Sequence, residues 1–277
     1  MTTQPETLDY ASRKVNLDYT ALLHKALMLM TAGAVFIALG LTALVAMEGV
    51  PQELFVMIVS CGVSAVILIG GLVLQYRKRP AGRIALRIGA GIMFAGLATF
   101  FAMNLVASVG ARLSIQLITM LMGWASFALL PMALVIALLQ RMPERRRLDL
   151  LLTLVALSGA GFALNEGVTG LQEWRWGTLS QRTVFALVFS AMIIPSILLL
   201  LATIGRTLLT INVRYLFLSL GGVGLIVTSV CRCLWFWYNQ FSTTAEITSE
   251  TLITVGICLY AGTLAAVSQH LRTYNVR

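Results

Sequence analysis

Few side chains in this chain could carry out chemistry, given how apolar the surrounding sequence is. The two histidines, His24 and His270, stand at the ends of apolar segments rather than within them. Their positions argue against a bis-histidine haem or a histidine-based zinc site, so we expect no metal and no cofactor. The aspartates Asp9, Asp18 and Asp149 also lie outside the apolar segments. A catalytic pair of aspartates at membrane depth is therefore excluded.

Motifs of other enzyme classes are missing as well. The sequence has no G-x-S-x-G nucleophile motif, and no lysine follows Lys78 that could hold retinal in a late helix. Gly89 and Gly91 resemble the start of a dinucleotide fingerprint, but the third glycine position holds Phe94. The cysteines have neither zinc-finger nor redox spacing, and all lie in apolar segments: Cys61, Cys231, Cys233 and Cys258. We therefore predict no catalytic residues and a protein that is not an enzyme.

Arg232 is the strongest candidate for a functional residue, because an ionisable group at membrane depth needs an explanation. It follows Arg214 after an uncharged apolar stretch, about 27 Å further along a helix that rises ~1.5 Å per residue. The hydrocarbon core is about 30 Å thick. Arg232 could thus lie at the boundary and extend outward among tryptophans. Alternatively, it lies deeper and pairs with Glu166, with Glu250 or with an anionic ligand.

A second set of polar and aromatic residues falls in the same half of the predicted helices. Such residues either line an outward-facing polar cavity or form hydrogen bonds between helices, which contribute ~0.6 kcal/mol each on average. The sequence leaves both interpretations open. The residues of the possible cavity are Arg232, Asn104, Gln116, Asn165, Glu166, Trp124 and Trp235.

The composition identifies the surroundings that these residues need. Of 277 residues, 58% are hydrophobic and only 11% are charged, with a mean hydropathy of +0.88. A soluble domain carries about 25% charged residues, so most of this surface must be covered by a lipid bilayer. The net charge of +9 does not predict nucleic-acid binding, since the cations occupy short links between apolar segments.

The chain is predicted to be an all-α polytopic bundle with eight transmembrane spans. Residues 26–269 form this domain, residues 1–25 form a polar head and residues 270–277 form a tail. The head is either an amphipathic helix on the membrane surface or a partly ordered segment. Pro131 and Pro195 are predicted to kink the fourth and sixth spans. The spans are 26–46, 54–74, 88–109, 113–139, 150–165, 183–205, 215–231 and 251–269.

Charge sets the predicted orientation of these spans. Eight spans place both termini on one side of the membrane. All but four of the 20 lysines and arginines then fall on that same side, the exceptions being Arg112, Arg175, Arg182 and Arg232. The positive-inside rule makes it the cytoplasmic side. We therefore expect both termini in the cytoplasm and the protein in the cytoplasmic (inner) membrane.

Three classes of function remain. The first is a non-catalytic subunit that docks partners or transmits a signal within a membrane complex. The second is a permease for a lipid or another mostly apolar small molecule, with the proline-kinked helices as its moving parts. The third is an unrecognised membrane enzyme, which the missing motifs disfavour. Besides the bilayer, the expected partners are another membrane protein or a second copy of the chain, and an apolar ligand or anionic lipid.

Overall fold

The computed structural model describes residues 18–46, 52–109, 114–139, 142–176, 187–205, 208–238 and 243–275. These residues contain helices and turns and no strand, and eight helical segments are long and apolar enough to cross a membrane. This confirms the predicted all-helical, multi-pass architecture. The helices are α1 (Tyr19–Ala46), α2 (Gln52–Tyr76), α3 (Ala81–Ala107), α4 (Ile115–Leu138), α5 (Glu144–Trp176), α6 (Ile193–Ile204), α7 (Ile211–Tyr238) and α8 (Thr244–Asn275).

Five helices extend at least seven residues beyond a predicted span boundary: α1, α3, α5, α7 and α8. The largest corrections concern two of them. The fifth span was predicted to be short, whereas α5 is 33 residues long and continues to Trp176, within the segment expected to be a loop. Residues 244–250 of the predicted link before the eighth span belong to α8. Both corrections have one cause. A window of apolar residues marks the part of a helix that lipid can cover, whereas the helix itself continues into its polar ends.

The helices form a closed ring in which each packs against its neighbours in sequence and α8 packs against α1. The ring is not hollow, because α1, α4, α5 and α8 also make contacts across its centre. α2 and α3 are the least buried helices and form one side of the bundle. The odd-numbered helices begin at the end that carries the arginines of the α2–α3 turn and of the α5 N-terminus. We call this the basic end.

The contact between α8 and α1 closes the ring and depends on glycine. A Cβ atom built on Gly33 would lie 2.9 Å from the carbonyl oxygen of Gly256, and one on Gly256 would lie 2.7 Å from that of Gly33. Two turns before Gly256, the Ser249 hydroxyl donates a hydrogen bond of 2.8 Å to the Gly40 carbonyl. This contact fixes the height of α8 against α1, and with it the position of Glu250.

The sixth span is interrupted before Pro195. Residues 187–190 are helical, Ala191 and Met192 form a turn, and α6 then begins at Ile193. The Ile194 N–H donates to the Ala191 carbonyl, and Pro195 has no N–H with which to continue the regular pattern. The interruption lets Phe189 approach α7 from the stretch before α6. Pro131, in contrast, lies within α4, which is helical from Ile115 to Leu138.

Candidate functional site

Arg232, near the end of α7, is buried and paired with two carboxylates. Its Nη2 donates to Glu250 Oε1 at 2.9 Å, and its Nη1 lies 2.6 Å from Glu250 Oε2. On the other side, its Nε lies 3.0 Å from Glu166 Oε2. Arg232 is only 9% exposed, so its guanidinium group lies inside the protein rather than on its surface. We call Arg232, Glu166 and Glu250 the Arg232 cluster.

Three helices supply the cluster. Glu166 lies on the part of α5 that was predicted to be a loop, and Glu250 lies on the first turns of α8. Because both segments are helical, their carboxylates are held at fixed heights on either side of α7. Asn165 Nδ2 lies 3.4 Å from Glu166 Oε1, a long hydrogen bond that adds little to this arrangement.

Three phenyl rings surround the guanidinium group of Arg232. The ring centres of Phe162, Phe189 and Phe236 lie 5.6, 5.7 and 5.5 Å from its central carbon. Trp235 packs edge-on against Phe189 and Phe236 in a second layer. The rings attract the cation and keep water away, and a low local dielectric strengthens its ion pairs. Phe189 also brings the interrupted sixth span into the site.

Among the described side chains, the cluster has one cation for two carboxylates, and its hydrogen bonding is incomplete. Arg232 Nε and Glu250 Oε2 are buried without a well-aligned hydrogen-bond partner, although both are within ion-pair distance. Within the described ranges, no three histidine, cysteine, aspartate or glutamate side chains group as metal ligands would. Glu250 Oε2 can accept one further hydrogen bond, and Arg232 Nε can donate one.

The structure brings together only part of the cavity predicted from the sequence. Asn165 and Trp235 adjoin the Arg232 cluster. Asn104 donates instead to the Phe100 carbonyl of its own helix. Trp124 packs edge-on against the Phe100 ring and, among the described rings, connects to Phe162 only through Phe127. The side chain of Gln116 lies outside the described residues.

Sequence reasoning did not single out the phenylalanines of the site. A usable signal was nevertheless present, since Phe162 precedes Glu166 by four residues and Phe236 follows Arg232 by four. Residues four apart lie on one face of a helix. No such spacing links Phe189 to the other residues, so only the interrupted sixth span explains its place.

Arg214 occupies the opposite end of α7 and is also buried, although its sequence position indicated a loop boundary. Its Nη1 donates to Asp149 Oδ1 at 2.7 Å, its Nη2 to the Thr153 hydroxyl at 3.0 Å and its Nε to the Ala202 carbonyl at 3.2 Å. These bonds tie α7 to α5 and α6. A cavity of about 700 Å³, which Tyr215 also lines, opens beside them at the basic end.

Between the two arginines, α4, α5, α7 and α8 enclose a narrow apolar crevice. Phe162 lines the crevice and also contacts Arg232, and Leu225 and Tyr260 line it as well. Its free volume is about 20 Å³, room for about one water molecule. Helix α7 is thus held by α5 at both ends, around an interior that is nearly filled.

The chain matches no protein-family model, no curated protein and no solved structure.

Proposed function

We propose that this protein is a non-catalytic component of a membrane complex that transmits a signal between the two faces of the membrane. Helix α7 is the transmitting element, and the Arg232 cluster is where the signal acts. The observation that supports this most is the charge imbalance of the cluster, in which the buried Glu250 and the partly buried Glu166 share one arginine among the described side chains. A cationic group from a ligand or partner would bind there and draw Glu166 or Glu250 away from Arg232.

A change in the ion pairs of Arg232 can reach the basic end through α7. Arg232 and Arg214 lie on one continuous helix, and α5 supplies an acidic partner to each. When one ion pair is weakened, α7 shifts relative to α5, and the contacts of Arg214 shift with it. Helix displacements of about 1–2 Å are typical of such switches. By the positive-inside rule, the basic end faces the cytoplasm, where a partner would detect the shift.

A distance measurement across the bundle tests this proposal. Spin labels are attached at Ile84→Cys on α3 and Val213→Cys on α7, two exposed positions near the basic end. The native cysteines are replaced beforehand. We expect Glu166→Gln to change the label distance by about 2 Å or more, because it removes a carboxylate at the far end of α7.

The matched control is Glu144→Gln, the same substitution on the same helix. Glu144 pairs with Arg147 at the basic end and is 45% exposed, so its loss should leave α7 in place. An unchanged label distance in both Glu166→Gln and Arg232→Leu would contradict signal transmission through α7.

The interrupted sixth span favours a second candidate, a permease for a lipid or another mostly apolar molecule. Broken helices beside a central site are common in transporters. Here the turn at Ala191 and Met192 follows Phe189, whose ring contacts Arg232, and Phe162 joins that cluster to the apolar crevice. The crevice would have to widen for any substrate to pass. Saturable transfer of a fluorescent lipid across liposomes by the purified protein would favour this candidate, and no transfer above protein-free liposomes would exclude it for that lipid.

A further inference from the structure

The turn between α2 and α3 arranges cations around one groove at the basic end. Lys78, Arg79 and Arg83 line it together with His24 and Gln75, and its volume is about 510 Å³. None of the described residues that line this groove is acidic. Three cations without a carboxylate among them form a site for an anion.

The backbone holds these cations in a defined turn. The Lys78 N–H donates to the Gln75 carbonyl and the Arg79 N–H to the Leu74 carbonyl, both at 2.9 Å. This is the Schellman arrangement that ends many helices, and it requires a left-handed residue that is usually glycine. Lys78 has that conformation, with a φ of 56°. A lysine therefore occupies a position whose backbone conformation glycine would adopt at lower cost. Its cation lines the same groove as those of Arg79 and Arg83.

The groove continues into a second one with both polar and apolar walls. His24, Gln75 and Arg83 line both, and the second groove, of about 160 Å³, has Leu27 and Met28 of α1 along one side. Its walls are completed by Thr20, Leu23, Leu86, Ala137, Leu138, Glu144 and Arg147.

Three other charged residues in or near the second groove, Arg87, Arg147 and Glu144, already have partners. Arg87 donates from Nε and Nη2 to the Leu138 carbonyl at 3.1 and 2.7 Å, which caps the end of α4. Arg147 forms an ion pair with Glu144, the acidic residue of the second groove. The cations that can receive a ligand are therefore those of the α2–α3 turn.

We propose that these two grooves bind one anionic phospholipid. Lys78, Arg79 and Arg83 hold the phosphate of its headgroup, and an acyl chain lies against Leu27 and Met28. A free phosphate ion would use the first groove only, whereas a lipid uses both. Basic pockets between transmembrane helices on the positively charged side are suited to such headgroups. The site is remote from the Arg232 cluster and does not depend on the function proposed for it.

Lipid retention by the purified full-length protein tests this site. Detergent-solubilised protein is titrated with phosphatidylglycerol or phosphatidylcholine, and bound lipid is counted by native mass spectrometry. We expect phosphatidylglycerol to bind the wild type at least about tenfold more tightly than phosphatidylcholine does. The variant Lys78→Gln/Arg79→Gln/Arg83→Gln should lose at least about tenfold in that affinity, because each cation near a membrane surface contributes about fivefold.

The matched control, Arg77→Gln/Arg145→Gln/Arg146→Gln, removes equal charge at the same end but outside both grooves. It should lose less than about threefold in affinity. The charge-retaining variant Lys78→Arg/Arg79→Lys/Arg83→Lys should bind like the wild type, which separates lost binding from lost folding. Equal losses in the two glutamine variants would overturn the site. So would displacement of phosphatidylglycerol by millimolar inorganic phosphate, since that result would indicate a free-anion site.

Discussion

The two ends of α7 carry the same residue in two different states. Arg214 and Arg232 are both buried and both pair with an acid on α5. Arg214 has one carboxylate, one hydroxyl and one carbonyl, each at hydrogen-bond distance from a different nitrogen. Arg232 has two carboxylates, and its Nε lacks a well-aligned acceptor. The burial and the positive charge of the arginine are common to both sites and do not distinguish them.

Hydrogen-bond completeness and charge balance distinguish the anchor at Arg214 from the candidate switch at Arg232. A balanced and saturated pair such as Arg214–Asp149 has little to gain from a new ligand. A cluster with surplus carboxylate gains when a cationic group binds. We therefore propose that Arg214 anchors the basic end of α7 and that the Arg232 cluster, at the other end, responds to a bound cationic group.

The largest effect should come from removing each arginine. We expect Arg232→Leu to lower the free energy of unfolding by about 3–5 kcal/mol, because it leaves two buried carboxylates without a cation. Arg214→Leu should cost about 3 kcal/mol or less, since Asp149 lines an open cavity that water can enter. Denaturant unfolding in mixed micelles measures both values.

The variant Arg232→Leu/Glu166→Leu/Glu250→Leu controls for this result. Replacing all three charges should restore most of the lost stability, because no unpaired carboxylate remains. If the triple variant were as unstable as Arg232→Leu, ionic pairing would not explain the cost.

An intermediate effect should come from neutralising one acid at each end. Asp149→Asn removes the carboxylate that pairs with Arg214 in the described part of the chain, and we expect it to cost about 1.5–3 kcal/mol. Glu166→Gln removes the surplus carboxylate while Glu250 still pairs with Arg232, so stability should change by less than about 1 kcal/mol. The same unfolding measurement compares them, and equal costs would erase the distinction between anchor and switch.

The smallest effect on stability should come from replacing an acid outside the Arg232 cluster. Glu246, one turn before Glu250, accepts hydrogen bonds from the Thr243 N–H at 2.7 Å and the Thr243 hydroxyl at 3.0 Å. The Glu246 N–H donates back to that hydroxyl, which completes a capping box. Glu246→Ala should therefore cost about 0.5–1 kcal/mol, and Glu246→Gln should cost less because it keeps an acceptor. A change in the label distance between α3 and α7 in Glu246→Ala would mean that the response is not specific to the Arg232 cluster.

Much of the bundle was predictable from the sequence, because a helix in lipid must satisfy its own backbone hydrogen bonds and present apolar side chains. Eight apolar segments therefore predicted eight helices. The ends of α5 and α8 were not predictable in this way, since their polar turns have the same composition as loops. Glu166 and Glu250 belong to those turns, so the sequence suggested them as partners of Arg232 without giving the geometry.

The sequence alone determined the membrane environment, the number of helices and the scarcity of charge within them, because each follows from local composition. The tertiary structure decided which charges meet. Glu166 and Glu250 reach Arg232 from two other helices, and Phe189 reaches it from the helical stretch before the turn in the sixth span. Such contacts depend on how α8 closes against α1 and how α5 lies beside α7. These are long-range packing relations, which local sequence patterns do not specify.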